Sequence, residues 1–278
     1  MTTTAGYTPS VTTLHRKINQ NGSVSAPLAY VAGKKGTGKS TLLEVLMAEY
    51  QREYSTEKKP VRTLIIDTKP RFRAEKELYG VSTRVSRRYR KWGYGSGEIP
   101  NSYALPQSGS IKGNLNQVWR LGGTTAIAST ERESEWGWAA ETARTFYEGY
   151  GAKFPRLIFV DELSDFFISR TLSDIFQRIA RNGRERDCAL IAGSQRPRKI
   201  PVEIMSEMNR VYLFHIDYSE DVKNILRYGV PQDTIIPSMG HTFFMYDHEL
   251  GETPPSKGYY ELDLSENYFT GGKYNGRS

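Results

Sequence analysis

Nine consecutive residues, Gly33-Lys34-Lys35-Gly36-Thr37-Gly38-Lys39-Ser40-Thr41, carry the clearest chemistry in the chain. They fit G-x-x-x-x-G-K-[ST], a phosphate-binding P-loop. The glycines let the backbone curl so that several N–H groups aim at one anion. In that arrangement Lys39 reaches the β- and γ-phosphates of a nucleoside triphosphate, read here as ATP, and the Ser40 hydroxyl ligates Mg2+. A second pair, Asp161-Glu162, closes the apolar run Leu157-Ile158-Phe159-Val160. Asp161 suits a holder of Mg2+ through water. Glu162 beside it suits polarisation of an attacking water, which favours hydrolysis over transfer to an acceptor. Gln195 follows another apolar run, Cys188–Ala192, where an amide can touch both the γ-phosphate and the water. Among Arg178, Arg181, Arg184 and Arg186, which precede that run, Arg184 is the first candidate for an arginine finger and Arg181 the second. Each feature also has a plainer reading: a Gly/Lys-rich surface loop, an acidic helix start, a polar strand end, or arginines on a helix end.

These residues need rigid elements to bring them together. Pro27–Ala32 reads as a buried strand leading into the loop, and Leu43, Leu46, Met47 and Tyr50 recur at helical spacing behind it. Val61–Ile66 reads as a second buried strand, ending in Asp67-Thr68-Lys69-Pro70, with Pro70 as its stop. Arg156–Val160, Cys188–Ala192 and Val211–His215 read as further strands, and Thr242–Tyr246 as a late edge strand or hairpin arm. Helical patterns cover Glu131–Tyr150, the register of Leu172, Ile175, Phe176 and Ile179, and the short stretch Asp221–Tyr228. Val118–Leu121 and Thr124–Ser129 read as short strands around Gly122-Gly123, and Trp92–Gly113 as loop. Strands alternating with helices predict an α/β fold, a mainly parallel sheet with helices on both faces. The expected organisation is a flexible segment over 1–25, one domain over 26–250 with a basic, loop-rich insertion at 70–121, and a tail over 251–278.

Composition narrows the class. The chain has 278 residues, 38% hydrophobic and 25% charged, an ordinary globular balance. No apolar run is long enough to span a bilayer, and the first residues lack a secretory layout, so the expected location is cytoplasmic. The single cysteine, Cys188, rules out an internal disulfide framework. His15, His215, His241 and His248 share no metal-ligand spacing. The net charge of +7 is compatible with a polyanionic partner, and it is unevenly placed. Lys69, Arg71, Arg73, Lys76, Arg84, Arg87, Arg88, Arg90 and Lys91 fall in one stretch, with Tyr79, Tyr89, Trp92 and Tyr94 interleaved or just beyond. Positive charge with aromatic faces suits a nucleic-acid backbone. A solvated basic face fits the same stretch equally well.

Four segments together resemble the HerA/FtsK superfamily of DNA-pumping ATPases: Gly33–Thr41, Ile66–Lys69, Leu157–Glu162, and Ile179–Pro197. The last is the most specific, with Gly183-Arg184, a short apolar strand and then Gln195-Arg196-Pro197. Glu207–Phe214 and Asp221–Leu226 look like the family's continuation, so the likeness runs from about residue 27 to 246. The resemblance implies a RecA-like P-loop core in which Lys39, Ser40, Asp161, Glu162 and Gln195 bind and hydrolyse ATP with Mg2+. It gives Arg184 a trans-acting role, and implies a homo-oligomer, usually a hexameric ring, with double-stranded DNA in its channel. The chain lacks the membrane segments and winged helix of chromosome-segregation members and the N-terminal barrel of DNA-end-processing members. Residues 70–121 match no family element. So bare a motor looks most like the genome-packaging ATPases of tailless icosahedral DNA viruses, which implies a capsid or portal-vertex partner and association with the virion or the host cytoplasm. A filamentous-phage assembly ATPase or a plasmid-transfer ATPase is the alternative. A P-loop kinase, a GTPase-type switch and a nucleotide-binding scaffold are further readings. Glu162 and Gln195 count against the kinase, the missing Asn-Lys-x-Asp motif against the switch, and Lys39 with Glu162 against the scaffold.

Overall fold

The computed structural model describes residues 14–18, 24–69, 71–78, 98–149, 153–183, 186–228, 242–247 and 258–261. Strands β1 (Lys17–Ile18) and β2 (Val24–Ser25) pair antiparallel as a small separate sheet. The main sheet contains β3 (Leu28–Ala32), β4 (Arg62–Asp67), β5 (Arg73–Glu77), β6 (Glu98–Ala104), β7 (Thr125–Ser129), β8 (Arg156–Val160), β9 (Cys188–Ser194), β10 (Arg210–Leu213), β11 (Thr242–Asp247) and β12 (Gly258–Glu261). Their order across the sheet is β12-β11-β10-β3-β9-β8-β4-β7-β6-β5. Every pairing from β10 to β5 is parallel, and β11 and β12 join antiparallel at one side. The helices are α1 (Lys39–Tyr54), α2 (Ile111–Arg120), α3 (Trp136–Gly149), α4 (Arg170–Asn182), α5 (Val202–Met205) and α6 (Ser219–Arg227).

Successive strand residues point to opposite faces, and the core divides accordingly. Ala29, Val31, Ile65, Phe159 and Ile191 face one side, where α1 packs through Leu42, Leu43, Leu46, Met47 and Tyr50. Leu28, Tyr30, Leu64, Ile66, Ile158, Val160 and Leu190 face the other, covered by side chains of α2, α3, α4, α5 and α6. The central strands are buried on both faces, which is why they read as unbroken apolar runs. The α/β architecture expected from the alternation, a mainly parallel sheet with helices on both faces, is the one found.

Several local expectations change. Within the lead-in expected to be flexible, Leu14 is buried and Arg16 pairs with Asp187 while its guanidinium stacks on Tyr54. Residues 98–104 form a strand, β6, and residues 111–120 a helix, so much of the stretch read as loop extends the sheet edge. Val118–Arg120 lie in that helix, not in a strand. Ser110 caps its start by accepting from the Gly113 N–H, and this local capping outweighs the strand preference of Val118 and Trp119. β11 is not an edge, because Gly258–Glu261, expected in the tail, pair along it as β12.

Two features set the site's position. Arg156 is 1% exposed, and its guanidinium donates to the carbonyls of Phe146, Tyr147 and Arg186. It thereby ties the C-terminal turn of α3, the negative end of that helix, to the start of β8. Gly193, near the tip of β9, leaves the space that α1 and β8 both fill. A Cβ there would sit 2.6 Å from Leu43 Cδ1 and 2.8 Å from the Asp161 carbonyl oxygen. Gly193→Ala is therefore expected to lower stability by about 1–3 kcal/mol, the usual cost of overpacking, measured by urea unfolding. A variant as stable as the parent would mean that α1 and Asp161 are not in close contact across this residue.

Candidate phosphate-binding site

The parallel register brings the predicted residues to one end of the sheet. Ala32 pairs with Ser194, Val160 with Ala192, and Ile66 with Val160. Gly33, Gln195, Asp161 and Asp67 therefore leave four adjacent strands at nearly the same level. β9 lies between β3 and β8, so Gln195 emerges between the loop and the acidic pair. Ligand-facing residues collect at such carboxyl ends in open parallel sheets.

The loop itself is built for an anion. Gly36 and Gly38 have φ of +87° and +95°, a left-handed conformation that favours glycine. Gly38 also caps α1 without offering a side chain, so the first N–H groups of a 16-residue helix face the pocket. A Cβ on Gly33 would lie 2.6 Å from Phe214 Cβ, so that position too requires glycine. The Thr37 hydroxyl donates to the Lys34 carbonyl at 3.0 Å and holds the loop closed.

The pocket has a volume of about 590 Å3 and is lined by Lys34, Lys35, Gly36, Gly38, Lys39, Ser40, Thr41, Lys69, Arg71, Asp161 and Gln195. Five cations face one carboxylate. Lys39 Nζ lies 3.4 Å from the Asp161 carbonyl oxygen. Burial pulls its pKa below the ordinary lysine value, and the carboxylates of Asp161 and Glu162 oppose that shift. Ser40 Oγ is 3.3 Å from Asp161 Oδ1. This hydroxyl–carboxylate pair beside a phosphate cradle is the oxygen-only donor set that Mg2+ takes when it keeps waters and substrate phosphates as its other ligands. Among the described residues no cluster of three or more His, Cys, Asp or Glu forms a dedicated metal cage.

Glu162 sits behind the pocket lining and is 2% exposed. Its Oε1 accepts from the Gln195 N–H and from Ser164 Oγ, each at 2.8 Å, and its Oε2 accepts from Lys69 Nζ at 3.0 Å. Burial pushes its pKa up. Lys39, Lys69 and the two hydrogen bonds outweigh burial, and the carboxylate is held below the ordinary glutamate value.

Lys69 and Arg71 were expected in the basic stretch facing a nucleic acid. The structure puts both in the wall of the pocket in front of the loop. Asp67 Oδ2 accepts from the backbone N–H groups of Arg71 and Phe72 at 2.6 and 2.9 Å, which curls the chain back after β4. Phe72 is buried edge-on against Phe159 and anchors the turn. Arg71 then reaches Glu44 of α1 at 3.1 Å and Asp161 at 3.6 Å. Sequence reasoning missed this pair's place in the pocket, although Lys69 ends a segment already singled out. Arg184, Pro70 and the residues from Tyr79 to Tyr94 lie outside the described residues. Arg181 is exposed in the last turn of α4, and Arg178 pairs with Glu148 at the surface.

No protein-family model and no curated protein matches the chain. Solved structures do. The genome packaging NTPase B204 from Sulfolobus turreted icosahedral virus 2 in complex with AMPPCP superposes with a TM-score of 0.55 at 13% identity, covering 86% of this chain and 98% of that one. The same protein in complex with AMP gives 0.53 at 13% identity, with the same coverage. B204, the DNA-packaging ATPase from Sulfolobus Turreted Icosahedral Virus, gives 0.50 at 13% identity, covering 84% and 96%. At this identity the likeness is one of fold.

Asp67 also yields a pH test. Burial raises its pKa to about 8, although the Phe72 N–H pulls the other way. The folded chain therefore keeps a proton that the unfolded chain releases near pH 4. Stability from this group is full below about pH 4 and is lost as pH rises toward 8. Asp67→Asn keeps an oxygen for the two N–H groups and removes the titration. Its unfolding free energy should fall less steeply than the parent's between pH 5 and 8 in urea titrations. Matching slopes would show that Asp67 carries no extra proton in the fold.

Proposed function

We propose that this chain is an ATP-hydrolysing motor of the HerA/FtsK type that translocates double-stranded DNA, and that its task is to package a viral genome into a capsid. The observation that carries the reading is the pocket itself: Lys34, Lys35, Lys39, Lys69 and Arg71 surround the space in front of helix α1, with Asp161 and Gln195 at its wall and the ionised Glu162 just behind. Five cations and free helix N–H groups suit the charge of a triphosphate. A dehydrated carboxylate one residue beyond the Mg2+ holder suits activation of water. The fold's likeness to packaging NTPases supports the step from hydrolysis to DNA movement.

The roles follow from placement. The loop N–H groups and Lys39 orient the β- and γ-phosphates. Ser40 and Asp161 would hold Mg2+, which would supply positive charge against those phosphates. Glu162 takes a proton from the attacking water, and the Gln195 amide positions that water against the γ-phosphate. In a ring of identical chains, Arg184 of one subunit faces the nucleotide held by its neighbour. The basic stretch from Arg84 to Lys91 contacts the DNA backbone, and a capsid or portal-vertex protein receives the ring. No helix among the described residues is long and apolar enough to cross a membrane.

Two measurements test this. In a phosphate-release assay the parent chain should turn over ATP faster with duplex DNA present. Glu162→Gln should keep nucleotide binding and lose turnover by on the order of 10²–10⁴-fold; undiminished turnover would remove Glu162 from the mechanism. Replacing Arg87, Arg88 and Arg90 together with alanine should weaken DNA binding and reduce the slope of log K against log salt by roughly 2–3. An unchanged slope would put the DNA contact elsewhere.

A further inference from the structure

The two oxygens of Glu162 are held differently. Oε1 is fixed by the Gln195 N–H and the Ser164 hydroxyl, which belong to β9's exit and to the turn after β8. Oε2, the oxygen left to accept a proton from water, is covered by Lys69 Nζ at 3.0 Å. The partners also differ in exposure: Glu162 is 2% exposed, while Lys69 is 48% exposed at the wall of the phosphate pocket. The carboxylate is anchored without Lys69, and the ammonium is free to swing into the pocket. A γ-phosphate there carries more charge than one carboxylate and competes for the same ammonium.

We propose that Lys69 is a triphosphate-sensing latch. In the empty site it occupies Glu162 Oε2, and when a triphosphate binds it moves to the γ-phosphate and uncovers that oxygen. A diphosphate does not reach it, so Glu162 stays covered. Lys69 thus couples ligand identity to readiness for hydrolysis, and it touches the substrate in doing so. Arg71, from the same turn, makes a parallel exchange available between Asp161 and the phosphates. This inference rests on the reading of the pocket as a nucleoside-triphosphate site.

The test uses the full-length chain, a methylene-bridged ATP analogue and ADP, each with Mg2+, in isothermal titration calorimetry. Four proteins are compared: the parent, Lys69→Met, Glu162→Gln and the double variant. Lys69→Met should weaken the analogue by about tenfold, the scale of one charged hydrogen bond, and ADP by less than about twofold. Glu162→Gln releases Lys69 in the empty site, and should tighten the analogue by about threefold or more. That gain should vanish when Lys69 is already methionine, since the two residues then no longer compete. Equal losses for analogue and ADP in Lys69→Met would overturn the latch. So would an equal gain from Glu162→Gln in both backgrounds, which would reflect only relief of repulsion between carboxylate and phosphate. Failure of the parent chain to bind the analogue would overturn the nucleotide reading and the latch together.

Discussion

The site is governed by an imbalance of charge around buried carboxylates. Two almost fully buried carboxylates, Asp161 and Glu162, stand among Lys39, Lys69 and Arg71. A buried ion without partners is costly, so each carboxylate is pinned by cations or hydrogen-bond donors. The cations nonetheless outnumber the carboxylates. The surplus suits a polyanion, and the internal pairs Lys69–Glu162 and Arg71–Asp161 leave a positive balance at the pocket wall. The same imbalance sets protonation. Glu162 stays ionised because donors surround it. Glu44, 8% exposed, has Arg71 against its burial while the Asp161 carboxylate adds to the rise, and its pKa goes up to about 7.

This arrangement depends on strand order more than on any side chain. With β9 inserted between β3 and β8, the exits of the loop strand and the acidic strand are separated by one strand, and its first free residue is Gln195. The gap can close only because Gly193 has no side chain where Leu43 and the Asp161 carbonyl approach. Arg156 fixes the far end of β8 through backbone carbonyls of α3 and of the turn before β9. Asp161 is thus positioned by packing along the whole strand, from a buried guanidinium at one end to a missing methyl at the other.

Features legible in the sequence were those with local causes. The P-loop depends on residues within nine positions of one another, and the acidic pair follows an apolar run that is itself a strand. The central strands were legible because burial on both faces leaves no polar interruption. The sheet edge was not. β6 contains Pro100 and Asn101, the latter at φ +54°, and these break any alternation. β12 lies in a Gly-, Pro- and Tyr-rich stretch whose pairing with β11 is fixed by the partner strand. The roles of Lys69 and Arg71 were hidden for a related reason. Their charge matched that of the residues after them, and the turn imposed by Asp67 is what brings them to the pocket.

That turn also bears on how chemistry and DNA contact are connected. The basic stretch is divided by function in the proposed motor: its first two cations belong to the nucleotide, and Arg84 to Lys91 belong to the segment between β5 and β6. β5 begins at Arg73, two residues after Arg71, and pairs along β6. Lys69, which faces the γ-phosphate in the proposed latch, is therefore joined to the DNA-contact candidate through one turn and one edge strand. The central strands are buried on both faces and resist displacement. Among the described residues β5 is bonded on a single side, and it is largely exposed, so it has more freedom to follow a change at Lys69. A motor built on this sheet would then pass the loss of a phosphate outward along its edge, while the central strands that hold Lys39 and Asp161 stay fixed.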